Sequence, residues 1–269
     1  MSIPSGTVGI DAGATLWKLV HQGEQLHMEV VRAGDLESLE AHVGAWSPSR
    51  ICLTGGGSSR VETRLDAALI QHVPEFEAWA MGAPMLAKRA GIELPTRYLL
   101  VSLGTGTSVL SVDHGAARRV SGTALGGGTL LGLGRLLLGI ESFGELAELA
   151  GRGDRRNVDL LVGDIYPEGG ISLHPDLNAS SFAKLASRDP ADLAHALMGL
   201  VGENVGIICT VVAQLAGIRA VVFGGNTLAG NPTLEEILRL VTVALGHPAT
   251  FLADGAFCGA IGAAAQPAP

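Results

Sequence analysis

The segment TVGIDAGATLWKLV spans residues 7–20. It consists of two apolar runs separated by the small polar turn DAGAT at residues 11–15, which is typical of two strands joined in a hairpin. The segment LVSLGTGTSVLSV, residues 100–112, repeats this pattern about 93 residues later, with GTGTS as its turn. Two such hairpins predict an internally duplicated fold with two similar lobes.

Alternating strands and helices extend this prediction along the chain. Short apolar runs that end in glycine-rich polar turns predict buried strands over residues 7–10, 50–54, 98–103 and 220–223. The spacing of apolar residues predicts helices over residues 60–72, 142–150 and 192–216, and another that begins at Asn231-Pro232. Ser142 and Glu145 have the spacing of a capping box, and Gly151 ends that helix. This alternation indicates an α/β protein.

The composition excludes several classes of protein. Of the 269 residues, 47% are hydrophobic and 16% are charged, a combination that excludes a disordered chain. The 18 basic and 26 acidic residues give a net charge of −8, and no basic stripe is present, so we expect no nucleic-acid partner. The 38 glycines are about 14% of the chain, twice the usual ~7%, and they cluster where apolar runs end.

The sequence also predicts a soluble, cytoplasmic protein. Cys52, Cys209 and Cys258 stand singly in apolar surroundings, which is typical of reduced thiols. The N-terminal residues have no basic region followed by an apolar stretch, so we expect no signal peptide. Polar residues, Glu203 among them, interrupt the apolar segment 199–218, which we therefore interpret as a buried helix without membrane contact.

The glycine turns have the composition of phosphate-binding loops. Glycine lets backbone N–H groups approach a phosphate closely, and serine or threonine adds hydroxyl donors. A single such turn is more often a tight hairpin without a ligand, but DAGAT and GTGTS together with GGGTLLG (126–132) and FGGNT (223–227) favour a nucleotide site. The sequence has no P-loop motif, no GxGxxG between a strand and a helix, and no GxSxG or HExxH motif.

Several longer segments resemble one kinase family. They are PEFEA (74–78), SLGTGTS (102–108), RRVSGTALGGGTLLGLGRLL (118–137), GRGDRRNVDLLVGDIY (151–166), PDLNASSFAKL (175–185) and DGAFCGAIGA (254–263). In this order they resemble the type II pantothenate kinases, the fumble-like family of the sugar-kinase/acetate-kinase/actin superfamily. The resemblance extends over nearly the whole chain, from about residue 8 to residue 264.

The resemblance implies a fold and a reaction. The expected fold is α/β, a duplicated ribonuclease-H-like (actin-like ATPase) fold with an N-terminal lobe, 1–100, a C-terminal lobe, 101–269, and the nucleotide in the cleft. The expected reaction uses ATP and Mg²⁺ to phosphorylate pantothenate to 4′-phosphopantothenate, the first step of coenzyme A biosynthesis. The expected assembly is a homodimer.

Two carboxylates carry the implied chemistry. Glu75 matches the catalytic base of the family, and a carboxylate there can accept the proton of the attacking pantothenate hydroxyl. Without the family motif around it, Glu75 would be interpreted as a surface acid, and Glu77 is the alternative base. Asp11 matches the carboxylate that orients Mg²⁺ near the transferred phosphate, and it can also cap its own turn.

The resemblance assigns further residues to the acceptor. Arg119 matches the arginine that faces pantothenate and the transferred phosphate, and its planar set of donors suits a carboxylate or a phosphoryl group. Thr107 and Ser108 are expected on the substrate side as well. The alternative interpretation of Arg118 and Arg119 is a solvated pair of surface residues.

The remaining matched residues are expected to bind ATP. They are Asp11, Ala12, Gly13, Ala14, Thr15, Lys18, Gly104, Thr105, Gly126, Gly127, Gly128, Thr129, Phe143, Gly224, Gly225 and Asn226. Lys18 has the alternative of a solvated strand-edge residue, and Phe143 that of a core residue. Ala14, Gly225 and Asn226 depart from the family pattern, which weakens the expectation of phosphate and adenine contacts there.

Two other functions stay open at this point. A kinase for a sugar or an N-acetylhexosamine would have the same superfamily loops and a different acceptor. A non-catalytic ATP-binding regulator would keep the loops without turnover, although the presence of Glu75, Arg119 and Asp11 together disfavours it.

Overall fold

The computed structural model describes residues 2–167 and 172–267. In chain order its strands are β1 (Thr7–Ala12), β2 (Leu16–Gln22), β3 (Leu26–Arg32), β4 (Arg50–Thr54), β5 (Ile70–His72), β6 (Arg97–Leu103), β7 (Thr107–Asp113), β8 (Ala116–Thr123), β9 (Leu160–Leu161), β10 (Asn178–Ser180), β11 (Val221–Gly224) and β12 (Ala249–Phe251). Its helices are α1 (Leu36–Trp46), α2 (Ser58–Glu62), α3 (Glu75–Arg89), α4 (Gly127–Leu138), α5 (Phe143–Ala150), α6 (Val162–Ile165), α7 (Pro190–Ala216), α8 (Pro232–Ala244) and α9 (Cys258–Ala264).

The two five-stranded sheets in the described part of the chain have the same topology. The first has the order β3-β2-β1-β4-β5, and the second has the order β8-β7-β6-β11-β12. In each sheet a hairpin is extended by a third antiparallel strand on one side and by two parallel strands on the other. This repeat confirms the predicted duplication. The glycine-turn hairpins β1–β2 and β6–β7 are the first two strands of the two repeats.

The sheets alternate with layers of helices. Leu39 and Val43 of α1 pack on the first sheet, while α3 and α9 share a core with strands of both sheets. Helices α5, α7 and α8 cover the other face of the second sheet. The division of the chain at residue 100 stays a prediction, because α9 returns from the C-terminal end to pack on β1, β2 and β4 of the first sheet.

Most of the predicted elements are present with shifted bounds. The four strands correspond to β1, β4, β6 and β11. The helix predicted over 192–216 is α7, which begins at Pro190 because the Asp189 carboxylate accepts a hydrogen bond from the Ala191 N–H at 2.8 Å. Asn231 caps α8 as predicted, with its side chain accepting from the Leu234 N–H at 3.2 Å.

The helix predicted over 60–72 is wrong. Helix α2 ends at Glu62, a 3₁₀ turn follows at Ala67–Leu69, and β5 occupies Ile70–His72. The reason is tertiary, since β5 pairs with β4 in parallel and its backbone groups complete the edge of the first sheet. The predicted capping box is also absent, because the Ser142 side chain makes no capping hydrogen bond and the residue lines a cleft instead.

Helix α7 is buried as predicted. By length and composition it could cross a membrane, but 67% of its most apolar 18-residue stretch is buried inside the protein.

An ionic cluster joins the segment 155–159 to α7. Arg155 Nη1 lies 2.5 Å from Glu203 Oε1 of α7, and Asp159 is fully buried beside them. Burial raises the pKa of Asp159, while the Phe182 N–H and Arg155 lower it in part.

Helix α9 makes unusually close contacts with α3 and β1. A Cβ atom on Gly82 would overlap the carbonyl oxygen of Cys258, and one on Gly262 would overlap that of Ala78. A Cβ atom on Gly9 would likewise overlap the carbonyl oxygen of Ala260. Backbone therefore packs directly on backbone, and α9 fixes the positions of β1 and α3 relative to each other.

Candidate active-site cleft

A cleft of about 1140 Å³ lies between the two sheets, where the polar turns converge. The paired parallel strands β1 and β4 end at one edge of the first sheet, and β6 and β11 end at one edge of the second. The turns that follow these strands therefore meet across the cleft, as is usual for ligand sites in α/β folds. The cleft walls include Gly13, Gly55, Gly104 and Gly225.

The two hairpin turns touch each other across the cleft. The hydroxyl oxygens of Thr15 and Thr105 are 2.9 Å apart, within hydrogen-bonding distance. The β6–β7 turn also contacts the start of α4. The Gly127 and Gly128 N–H groups donate to the carbonyl oxygens of Gly104 and Thr105, both at 2.9 Å. The first turn of α4 is thus held against the β6–β7 turn.

Gly225 has a position that requires glycine. Its φ of +116° is unfavourable for residues with a side chain, and a Cβ atom would overlap the backbone of Leu103. Glycine at this position therefore has a structural reason in this chain. Thr227 follows two residues later, and its hydroxyl donates to the Gly104 carbonyl oxygen at 2.8 Å.

Asp11 and Glu75 bring two negative charges to the first-lobe wall of the cleft. Asp11 is the penultimate residue of β1 and is 5% exposed, whereas Glu75 is the first residue of α3 and is exposed in the cleft. Burial raises the pKa of Asp11, and the Lys18 ammonium lowers it in part. Partial burial and then the nearby Asp11 charge raise the pKa of Glu75, while Lys18 lowers it. A carboxylate with a raised pKa is a better proton acceptor than an ordinary one.

Arg119 enters the cleft from the second lobe. Strand β8 has an irregular register beside it, since Val109 pairs with Ser121 and Leu110 pairs with Arg119. Such a bulge redirects the strand locally. Gly122 leaves the space that the guanidinium fills, because a Cβ atom there would overlap Arg119 Nη2. Arg118 does not line the cleft, so the structure separates the two neighbours.

Sixteen of the sequence-predicted site residues line this cleft in the described structure. They are Asp11, Gly13, Ala14, Thr15, Lys18, Glu75, Gly104, Thr105, Thr107, Ser108, Arg119, Gly127, Gly128, Phe143, Gly225 and Asn226. Their roles toward a ligand stay predictions. Glu77, the alternative base, is outside the lining, because residues two apart on a helix point to different faces.

Four other predicted ATP-binding residues are outside the lining. Ala12 is buried in β1, and Gly126 packs against Thr105 and Gly106. The Thr129 hydroxyl donates to the Ala124 carbonyl oxygen at 3.0 Å, and Gly224 lies against Trp79 and Gly255. Contact of these residues with ATP stays a prediction.

The cleft also contains residues that sequence reasoning missed, among them Arg32, Trp79, Arg135 and Glu141. Trp79 follows Glu75 by four residues on α3, a spacing that places both on one helix face. Arg135 follows Gly128 by seven residues, or about two turns of α4, so the two residues lie on the same face of that helix. Arg135 Nε is 2.8 Å from Glu141 Oε2. Arg32 could be placed in the cleft only from the pairing of β3 with β2, which the sequence alone does not show.

Metal binding by side chains alone has no support in the described residues. Within 2–167 and 172–267, no group of three or more His, Cys, Asp or Glu side chains is placed to hold a metal ion. A metal at Asp11 would therefore need further ligands from a bound substrate or from water.

Comparison with known proteins decides the family. A model of the Fumble family matches residues 27–266. The chain belongs to the Fumble family. The type II pantothenate kinase of Oceanobacillus iheyensis is 34% identical over 260 residues, which cover 95% of this chain and 97% of that protein. The type II pantothenate kinase of Staphylococcus aureus is 32% identical over 262 residues, with coverage of 95% and 97%.

Solved structures share the fold of this Fumble protein. The activator of the 2-hydroxyisocaproyl-CoA dehydratase from Clostridium difficile, with bound ADPNP, has a TM-score of 0.63 at 18% identity, over 96% of this chain and 92% of its own. A ROK family glucokinase from Streptomyces griseus, in complex with glucose and AMPPNP, has a TM-score of 0.56 at 17% identity, over 96% and 97%. These similarities confirm the expected fold class, that of the actin-like ATPases and sugar kinases.

The electrostatics of the cleft predict how Glu75 titrates. Its pKa should lie above the usual glutamate range, rise further in Lys18→Met because a stabilising positive charge is lost, and fall in Asp11→Asn because a repelling negative charge is lost. Carboxyl-carbon NMR titration of labelled protein measures this pKa, with Glu75→Gln assigning the signal. Lys88→Met, at the far end of α3, serves as the matched control and should leave it unchanged. An unshifted Glu75, or one indifferent to Asp11→Asn, would show that this charge coupling is wrong.

Proposed function

We propose that this Fumble-family chain is a type II pantothenate kinase, which transfers the γ-phosphoryl group of ATP to the primary hydroxyl of pantothenate. The observation that carries the proposal is the position of Glu75 and Asp11 on one wall of the cleft, opposite the glycine turns of the second lobe. Relatives of nearly the same length that carry this activity in their names support the choice of substrate.

The nucleotide lies along α4 in this proposal. The phosphates lie against the start of α4 and the 104–106 turn, because Gly127 and Gly128 line the cleft without side chains and the N-terminal end of a helix attracts anions. Arg135 lies eight residues after Gly127, about 12 Å at 1.5 Å per residue. The nucleoside therefore extends toward Arg135 and Phe143, with Asn226 beside it.

Glu75 is the base of the proposed reaction. The pantothenate hydroxyl oxygen attacks the γ-phosphorus, Glu75 accepts the hydroxyl proton, and the bond from the γ-phosphorus to the β,γ-bridging oxygen breaks to release ADP. Arg119, which enters from the opposite lobe, holds an anionic group of the acceptor or the transferred phosphoryl group. Ser108 and Thr107 line the same side.

Asp11 fits a role in holding Mg²⁺. Its buried carboxylate accepts no hydrogen bond within the described residues, and Gly55 and Gly259 leave room at its two oxygens. A Cβ atom on Gly259 would lie 2.6 Å from Asp11 Oδ2, so a larger residue would fill this space. Carboxylate oxygen is the ligand type that Mg²⁺ prefers, and the ion would neutralise phosphate charge.

A kinase for a sugar or an N-acetylhexosamine is the second candidate. The glucokinase likeness favours it at the level of fold alone, because the identity is 17%. The full-length similarity to type II pantothenate kinases makes pantothenate the preferred acceptor.

A second copy of the chain is the proposed partner. Ile207, Val211 and Leu215 are exposed on α7 at four-residue spacing, and Leu215 is 85% exposed. Residues 204–218 contain no charged side chain. An uncharged apolar helix face packs well against its own copy about a two-fold axis.

We also place the protein in the cytoplasm, without nucleic acid or membrane as a partner, since α7 is mostly buried and the chain is acidic.

Removing the base should abolish turnover without preventing nucleotide binding. We expect kcat with ATP and pantothenate to fall about 10²- to 10⁴-fold in Glu75→Gln, with the Kd for ATP unchanged, because the amide accepts no proton. Glu77→Gln, two residues away and outside the cleft, is the matched control and should keep its activity. Coupled ADP release, measured with pantothenate, glucose and N-acetylglucosamine, checks both claims. Full turnover in Glu75→Gln would refute the base, and preference for a hexose would refute the substrate.

Charges on the exposed face of α7 should separate the dimer. Light scattering of the wild type should give twice the 27.5 kDa mass of one chain, and Val211→Glu with Leu215→Glu should give a single-chain mass. Val30→Glu, at an exposed position of β3, controls for a new surface charge. A single-chain mass for the wild type, or a dimer that survives both charges, would contradict this interface.

A further inference from the structure

Because the two sheets have the same topology, residues that line the cleft from the second lobe have counterparts in the first lobe. Strand β3 occupies the position in the first sheet that β8 occupies in the second. Where β8 ends, Thr123 pairs with Thr107, and where β3 ends, Arg32 pairs with Leu16. Both pairs line the cleft. Arg32 thus holds, on the first lobe, the position that Thr123 holds on the second.

Arg32 also lies next to the point where the two glycine turns meet. The N–H of Ala33, the following residue, donates to the Thr15 carbonyl oxygen at 3.0 Å. The Thr15 hydroxyl in turn contacts the Thr105 hydroxyl at 2.9 Å. An anion held by the two turns would therefore lie beside the end of β3.

The charges of the cleft leave the Arg32 guanidinium available. Arg135 is paired with Glu141 at 2.8 Å, and the Lys18 charge acts on Asp11 and Glu75. Arg32 is exposed and, among residues 2–167 and 172–267, makes no ion pair. A guanidinium without an acidic partner, in a cleft of an acidic protein, suits an incoming phosphate.

We propose that Arg32 binds the outer phosphates of the nucleotide, β and γ, from the first lobe, whose cleft wall also contains Asp11 and Glu75. This assignment rests on the proposed nucleotide site and adds a residue to it. Arg32 contacts phosphate, and the acceptor carboxylate is bound elsewhere, because Arg32 is adjacent to the Thr15–Thr105 contact. It thereby links the two lobes through the nucleotide.

Calorimetry with ATP, ADP and AMP tests the proposal independently of turnover. We expect Arg32→Gln to weaken ATP binding about tenfold, as for the loss of one charge-assisted contact, and Arg32→Lys to restore part of it. AMP binding should change less than twofold, because the lost contact is to the outer phosphates. Arg60→Gln, which removes an exposed arginine of α2 outside the cleft, is the matched control and should bind ATP as the wild type does.

Each other outcome overturns the assignment. Unchanged ATP affinity in Arg32→Gln, or an equal loss for ATP and AMP, would show that Arg32 does not contact the outer phosphates. A steady-state defect confined to the KM for pantothenate would move Arg32 to the acceptor. If the wild type binds ATP but does not phosphorylate pantothenate, the proposed substrate fails, and the ATP and AMP comparison still decides the role of Arg32.

Discussion

The structure depends on the packing of α9 between β1 and α3. Gly9, Gly82 and Gly262 let backbone contact backbone there, at separations that leave no room for a Cβ atom. Asp11 lies two residues after Gly9, and Glu75 begins the helix that contains Gly82. Both cleft carboxylates are therefore positioned by one contact, which is made by the C-terminal end of the chain on the first lobe. Helix α9 also shares a buried core with strands of both sheets.

The second lobe supplies its side of the cleft through the same repeated topology. Because each sheet places a hairpin turn and the end of a parallel strand at one edge, the duplication brings glycine turns to the cleft from two sides. The glycine excess of the sequence thus divides into two uses. Gly127 and Gly128 expose backbone to the cleft, whereas Gly82 and Gly262 permit close helix packing. A net charge of −8 does not prevent anion binding, since backbone groups and local cations act at short range.

Local sequence patterns predicted much of the fold, and tertiary pairing accounts for the rest. The hairpin at 7–20 and the Asn231 cap depend on neighbours in the chain, and both were predicted. The segment 60–72 has apolar residues at helical spacing, yet its pairing with β4 makes its last residues a strand. Likewise, Glu75 and Arg119 came from family motifs, whereas Arg32 needed the register between β2 and β3. The sequence shows which residues are glycine, but it does not show that Gly262 lies against Ala78.

The unfolding free energy of Gly262→Ala measures how far the structure depends on the packing of α9 against α3. The added methyl group would overlap the Ala78 carbonyl oxygen, so we expect a loss of about 3 kcal/mol or more in urea denaturation. Gly44→Ala, an exposed helical position on α1 with no atom near the added methyl, should instead gain about 0.5 to 1 kcal/mol. A Gly262→Ala protein as stable as the wild type would contradict the claim that the structure depends on this contact between α9 and α3.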